Sequence, residues 1–273
     1  RLGPDRRRAH LDSPFGIWWF DGAHRTPSDL DFAGPVMEKA GIRAVAWTGK
    51  KAEDLARYRL FKDQINMPFS FRDFSSPDEL ASEAARPGEK TTQLYAKARE
   101  RMDKALADHP HLREVLMFHE SGPGNDVPVE LFGVEYKPSA ERVKYEKRYA
   151  DLVNLAGAFF RREYPQLKTV LGNNSCSAAN VAAVLRHGGK PEYIDYIGIE
   201  APSQVYIPEK LQEWALQGQH IARDTAETLR GRRIPATGCY EFTYRCERDM
   251  GERQQAEWYA RDVLIGLANG FTR

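Results

Sequence analysis

The sequence predicts an α/β protein folded as a single (β/α)8 barrel. Three observations predict it. Short apolar runs recur along the chain, each separated from the next by a longer amphipathic or polar stretch. Most of these runs are continuously apolar rather than alternating, as strands of a parallel sheet buried on both faces are. None leads into a Gly-x-Gly-x-x-Gly turn, which removes the usual support for a dinucleotide-binding sheet. Seven such runs, with the start of an eighth, favour a closed ring over a doubly wound sheet.

Taken in order, the first run is Phe15 to Phe20 (FGIWWF). The second, Ile42 to Trp47 (IRAVAW), follows a helical segment, PVMEKAG, whose Gly41 suits a left-handed helix stop. The third is Met67 to Phe71 (MPFSF), with Pro68 tolerated only at a strand start. The fourth, Glu114 to Phe118, follows a helical pattern from Thr91 to Ala107. The fifth, Lys168 to Gly172, follows a long helix from Ser139 to Glu163. The sixth is Tyr193 to Ile199, and the seventh is Ile234 to Tyr240, after a helix from Glu209 to Leu229. A last helix from Glu252 to Leu267 leads to an eighth run at Gly270, so the last unit is expected to be incomplete and to lack its final helix. Residues 72–90 read as a polar loop in which PDELASEAA forms a short helix, and residues 121–138 as a long loop after the fourth strand.

A length of 273 residues divides into roughly two domains at about 150 residues each, yet one barrel of this class takes about 250. The strand count selects one domain spanning 1–273. Lys plus Arg number 40 and Asp plus Glu 39, a formal charge of +1, which argues against a nucleic-acid binder working by bulk charge. No run approaches the ~18–20 apolar residues of a membrane helix, so no membrane partner is expected. Three cysteines exclude a disulfide scaffold. The opening RLGPDRRRAHLDSPFG has no apolar stretch behind its basic residues, so no signal peptide is expected in it.

In a barrel of this kind the chemistry sits where the strands end. The fourth run ends in His119-Glu120, the fifth in Asn173-Asn174, the sixth in Glu200 and the seventh in Tyr240-Glu241; the third runs into Arg72-Asp73. Two carboxylates converging over a barrel mouth are the minimum apparatus for glycoside hydrolysis, one to protonate the leaving oxygen and one to attack the anomeric carbon or activate water. Trp47 at a strand end, Tyr240 and Tyr244 are candidate sugar-contacting aromatics. His119, Asn173, Glu200 and Arg72 are candidate substrate-binding residues. No His-x-x-x-His or paired-Cys spacing accompanies the His119-Glu120 pair, so no metal is expected. No organic cofactor is implied either. The arginines near strand ends, among them Arg25, Arg72, Arg245 and Arg248, leave an acidic or sulfated glycan open.

With Glu120 ending the fourth run and Glu241 the seventh, and with SPFGIWWF followed by PVMEKAGIRAVAW, the chain resembles clan A glycoside hydrolases, which are retaining enzymes on TIM barrels. The resemblance covers nearly the whole chain in pattern. It implies Glu120 as general acid/base, Glu241 as nucleophile, a carbohydrate substrate, and a retaining double displacement with the carboxyl groups about 5–5.5 Å apart. From the substrate class, an extracellular or periplasmic location is expected. Two positions depart from the family pattern. His119 stands where an Asn usually precedes the acid/base, and Arg43 lies inside the second run rather than at its end. His119 in place of Asn also motivates the alternative of a catalytically inactive, carbohydrate-binding TIM barrel.

Overall fold

The computed structural model describes residues 16–18, 28–46, 49–117, 139–171, 185–199 and 236–239, together with part of 251–264. The expected helix over 209–229, the loop over 121–138 and the eighth run from Gly270 lie outside the described residues.

The described residues form eight strands: β1 (Gly16–Trp18), β2 (Ala44–Ala46), β3 (Phe61–Lys62), β4 (Gln64–Asn66), β5 (Glu114–Met117), β6 (Lys168–Leu171), β7 (Tyr196–Ile199) and β8 (Ala236–Cys239). All their pairings are parallel, β1-β2-β3 in one sheet and β4-β5-β6-β7-β8 in the other. A single residue, Asp63, separates β3 from β4. Its carbonyl oxygen accepts hydrogen bonds from the backbone N–H of both Arg113 (2.8 Å) and Glu114 (3.0 Å). The two short strands are therefore halves of one chain run that pairs with β2 by its first half and with β5 by its second. Spatial order follows chain order from β1 to β8 with no reversal. A doubly wound sheet requires a reversal, so the architecture is α/β with sequential parallel strands. Among the described residues the ring is not closed, since no strand pairs with the outer edge of β1 or of β8.

The third strand lies earlier in the chain than the apolar runs predict. Residues 67–71 form no strand; β3 and β4 occupy 61–66, and the chain then enters a 3-10 turn at Phe71–Asp73. The apolar character of MPFSF has another cause: Phe69 is a core residue, 4% exposed, set edge-on to Phe159 at 5.2 Å. Two smaller corrections concern strand starts. Tyr193 belongs to a 3-10 turn, Pro191–Tyr193, ahead of β7, and Arg43 stands just before β2 rather than inside it.

The helices start and stop on chemistry visible in the chain. α1 (Ser28–Lys39) ends as Gly41 (φ 76°) and Ile42 donate back to Glu38 and Met37 oxygens, a Schellman closure. The short helix α2 (Ala52–Ala56) brings Leu55 under β3. α3 (Pro77–Ala85) has Ser76 as N-cap, accepting from Glu79 N–H at 3.1 Å, with Pro77 in the first turn. Glu83 of α3 then accepts from the N–H groups of Gly88 and Thr91 and from the Thr91 hydroxyl, so one helix caps the next. α4 (Glu89–Asp108) buries Thr91, Tyr95, Ala98 and Met102, an i, i+4, i+7, i+11 stripe. α5 (Ala140–Glu163) is capped by Ser139, which accepts from Arg142 N–H at 3.1 Å.

The main core lies between the strands and α4 and α5, with Val115, Met117 and Leu171 meeting Tyr95, Met102, Leu152, Ala156, Phe159 and Phe160. Alternation turns Leu116 and Val170 to the opposite face of the sheet, yet both are 0% exposed. β5, and β6 from Thr169 on, are thus buried on both faces, as their apolar runs require. On that inner face the β4–β5 register also sets Gln64 opposite Glu114, and Gln64 Nε2 donates to Glu114 Oε2 at 3.3 Å.

Candidate active site

Because every pairing is parallel, the C-terminal ends of β1 to β8 share one edge of the sheet, and the segments that leave those ends carry the candidate residues. His119 and Glu120 come shortly after β5, Asn173 after β6, Glu200 immediately after β7, and Tyr240, Glu241 and Tyr244 after β8. Trp47 follows β2 in the same way. These eight positions lie outside the described residues.

Arg72 is described, and its position differs from expectation. It is not the end of a strand but the middle of the 3-10 turn that follows β4, with its side chain exposed. The turn is held by a capping box. Asp73 Oδ2 accepts from Ser70 N–H at 2.7 Å, and Ser70 Oγ accepts from Arg72 N–H at 3.2 Å. Phe71, beside it, packs against Tyr149 (ring centroids 4.8 Å) and Tyr145 (6.0 Å), while the Arg148 guanidinium lies 5.0 Å from the Phe71 ring centre. Burial pushes the Tyr149 hydroxyl far above the ordinary tyrosine range, with the neighbouring Tyr145 adding to the rise and Arg142 and Arg148 opposing it. Tyr149 therefore serves as a neutral hydroxyl.

One turn earlier on α5 lies a buried ion pair. Arg142 Nε donates to Glu146 Oε1 at 2.5 Å, with the two side chains 7% and 0% exposed. Glu146 Oε2 lies 3.0 Å from His187 Nε2, which reaches in from the segment leading to β7. This triad joins the first turns of the helix after β5 to the chain after β6. Lower on the same helix, Asn154 receives Lys190 N–H (2.7 Å) and donates to Gly188 O (2.9 Å), tying the same segment again. Arg142, Glu146, His187 and Arg148 are not among the residues that strand ends single out. Arg142 and Glu146 do stand at the i, i+4 spacing of a helical ion pair, a legible signal; their burial is not legible in that spacing.

At the opposite edge, where strands begin, Arg161 Nη1 donates to Asp195 Oδ2 at 2.8 Å and Thr169 N–H donates to the same oxygen at 2.9 Å. Burial works to raise the Asp195 carboxyl, but the Arg161 and Thr169 hydrogen bonds and the charges of Arg161 and Lys168 outweigh it, leaving it below the usual range. These bonds tie α5 to β6 and to the residue that precedes β7. Among the described residues no group of three or more His, Cys, Asp or Glu side chains could hold a metal, and no helix is long and apolar enough to cross a membrane.

No family model matches the chain, and no curated protein matches it. Solved structures do show likenesses. A glycoside hydrolase family 5 enzyme from Prevotella bryantii B14 is 13% identical, with 96% of this chain and 88% of that one covered, at a TM-score of 0.48. The YdhT protein from Bacillus subtilis is 10% identical over 85% of this chain and 83% of that one, at 0.43. A glycoside hydrolase family 6 enzyme from Coprinopsis cinerea is 10% identical over 96% and 70%, at 0.42. With identities of 10–13% and TM-scores of 0.42–0.48, each is a likeness and nothing more.

Proposed function

We propose that the chain is a glycoside hydrolase of the retaining type on a closed (β/α)8 ring, with Glu120 as general acid/base and Glu241 as nucleophile. The observation that carries this reading is the placement of three glutamates. Glu120, Glu200 and Glu241 each follow, within a few residues, the C-terminal end of a strand in one sequentially ordered parallel sheet. Ring closure is supported by Leu116 and Val170, which face away from α4 and α5 and are still 0% exposed. An open sheet would leave that face to solvent unless a second layer covered it.

The spacing suits the chemistry. Strands β5 and β8 are three steps apart in strand order. Neighbouring strands lie about 4.8 Å apart, so the two ends are about 14 Å apart along the sheet. Curvature of a closed ring shortens the direct gap, and a retaining pair requires carboxyl groups ~5–5.5 Å apart.

In the first step a Glu241 carboxylate oxygen bonds to the anomeric carbon while the Glu120 carboxyl gives its proton to the departing glycosidic oxygen. In the second, Glu120 takes a proton from water as that water attacks the anomeric carbon and releases Glu241. His119, Asn173, Glu200, Tyr240, Tyr244, Trp47 and Arg72 are assigned to substrate binding, and neither a metal nor an organic cofactor takes part. The substrate class implies action outside the cytoplasm.

A screen of aryl glycosides with the wild type, Glu120→Gln and Glu241→Gln tests the reading. Turnover abolished by Glu241→Gln is the expected result. Full turnover in that variant removes the nucleophile. Oligosaccharide binding with no turnover of any sugar by the wild type would instead identify a silent carbohydrate-binding ring.

A further inference from the structure

Two arginines near Phe71, its chain neighbour Arg72 and Arg148 over its ring, make no ion pair with a carboxylate among the described residues. Arg72 is exposed in the 3-10 turn after β4, and its guanidinium makes no hydrogen bond or ion pair among the described residues. Arg148 is half-buried on α5, and its guanidinium also makes none; its Nε is shielded from solvent without an acceptor. Its one contact of note is the face of Phe71, at 5.0 Å. A shielded Nε–H of this kind is an unmet donor, which costs free energy until an acceptor arrives.

Among the described residues the neighbouring carboxylates are engaged elsewhere. The nearest acid in the turn, Asp73, is committed to Ser70 through its backbone N–H (2.7 Å) and hydroxyl (3.2 Å). Glu146, on the same helix as Arg148, is committed to Arg142 and His187. Other arginines of the fold are used differently: Arg161 is locked on Asp195, and Arg99 and Arg162 share Glu163. Unlike those three, Arg72 and Arg148 make no ion pair with a carboxylate among the described residues. They are presented on rigid elements, the first by the capping box and the second by a long capped helix. Both segments follow the C-terminal ends of neighbouring strands, β4 and β5.

We propose that Arg72 and Arg148, with Phe71 and the half-buried Tyr145 beside them, form a subsite for the anionic group of an acidic oligosaccharide, a uronate carboxylate or a sulfate ester. A guanidinium offers a planar pair of N–H donors matched to either oxyanion. The aromatic edge beside it suits the apolar C–H face of a pyranose. The carbohydrate half of this inference rests on the glycosidase reading; the anion half rests on the two guanidiniums.

The test measures binding calorimetrically to the full chain at low ionic strength, with trigalacturonate, a sulfated trisaccharide, cellotriose and inorganic sulfate as probes. One acidic sugar is expected to bind about tenfold tighter than cellotriose, and which of the two does so distinguishes carboxylate from sulfate. Arg72→Gln and Arg148→Gln should each remove most of that preference and their combination all of it. Arg72 is exposed, so its variant reports on the subsite even where Arg148→Gln lowers the melting temperature. Equal binding of acidic and neutral sugars, or a preference that survives both substitutions, overturns the proposal. Inorganic sulfate binding as tightly as the sulfated sugar overturns its carbohydrate half. An acidic-sugar preference in a chain that cleaves no glycoside leaves the subsite standing and removes only the glycosidase.

Discussion

Gly157 of α5 faces Tyr193 so closely that a Cβ built on the glycine would stand 2.2 Å from the Cβ of the tyrosine. The contact lets the helix after β5 lie against the turn that leads into β7. Two effects compete on Gly157→Ala. Helix propensity favours alanine by about 1 kcal/mol in a helix interior. Overpacking against a tyrosine Cβ, which has no rotamer to escape into, costs about 1–3 kcal/mol or more. Because the clash is with a Cβ and not a flexible tip, overpacking wins. The variant should unfold at lower urea than the wild type; an equal or higher midpoint would mean that α5 and the turn separate freely.

Glu146 holds a buried arginine. Glu146→Ala removes the carboxylate that accepts from Arg142 Nε, on a side chain 7% exposed. Breaking a buried pair from one side typically costs about 3–5 kcal/mol, whereas replacing both partners by apolar groups is often near neutral. Arg142→Met/Glu146→Leu is therefore expected to be more stable than Glu146→Ala alone. Chemical denaturation of the three proteins checks the order, and a double variant weaker than the single one would mean that the surrounding groups require both charges.

Asp195 links stability to pH. Its carboxyl is held below the ordinary aspartate value of about 3.9 despite burial, because Arg161 and Thr169 N–H stabilise the ionised form. A carboxyl whose folded value is depressed contributes stability above its unfolded value and loses it as pH falls through the folded value. Asp195→Asn should therefore lower the melting temperature at pH 7, and the gap to the wild type should narrow as pH drops below about 4. A gap that stays constant from pH 7 to pH 3 would place its origin in packing instead of charge.

Helix ends are legible in the sequence because their signals are local. Ser76-Pro77 opens α3 and Ser139 caps α5, and both bonds are made. The long helix is expected to reach Glu163 and does. Strand three is illegible for a physical reason. FKDQIN carries Asp63, Gln64 and Asn66 among its residues, and Gln64 is paired with Glu114 on the inner face of the sheet. A search for apolar runs passes over such a strand and stops instead at MPFSF, whose Phe69 fills the core from a loop. The parallel α/β arrangement inferred from the runs is borne out within each of the two sheets, β1-β2-β3 and β4 to β8. The candidate glutamates can be read as following strands because that is a matter of sequence. The Phe71–Arg148 and Glu146–His187 contacts cannot, since each joins segments that only the folded sheet brings together.

The proposed roles of Glu120 and Glu241 make different demands on the leaving group, and this separates them experimentally. A general acid matters most when the departing oxygen is basic, and removing one typically costs about 10²–10⁴-fold in rate. Glu120→Gln should therefore cleave alkyl or unactivated disaccharide bonds far more slowly, yet form the glycosyl-enzyme readily from a dinitrophenyl glycoside, whose leaving group needs no proton. Glu241→Gln removes the atom that bonds to the anomeric carbon, so no choice of leaving group should restore it. Pre-steady-state kinetics on a series of aryl glycosides read both. The expected pattern is a burst of phenol release from Glu120→Gln that vanishes in Glu241→Gln. The opposite pattern would exchange the two roles, and equal loss across the series in both variants would transfer one role to Glu200.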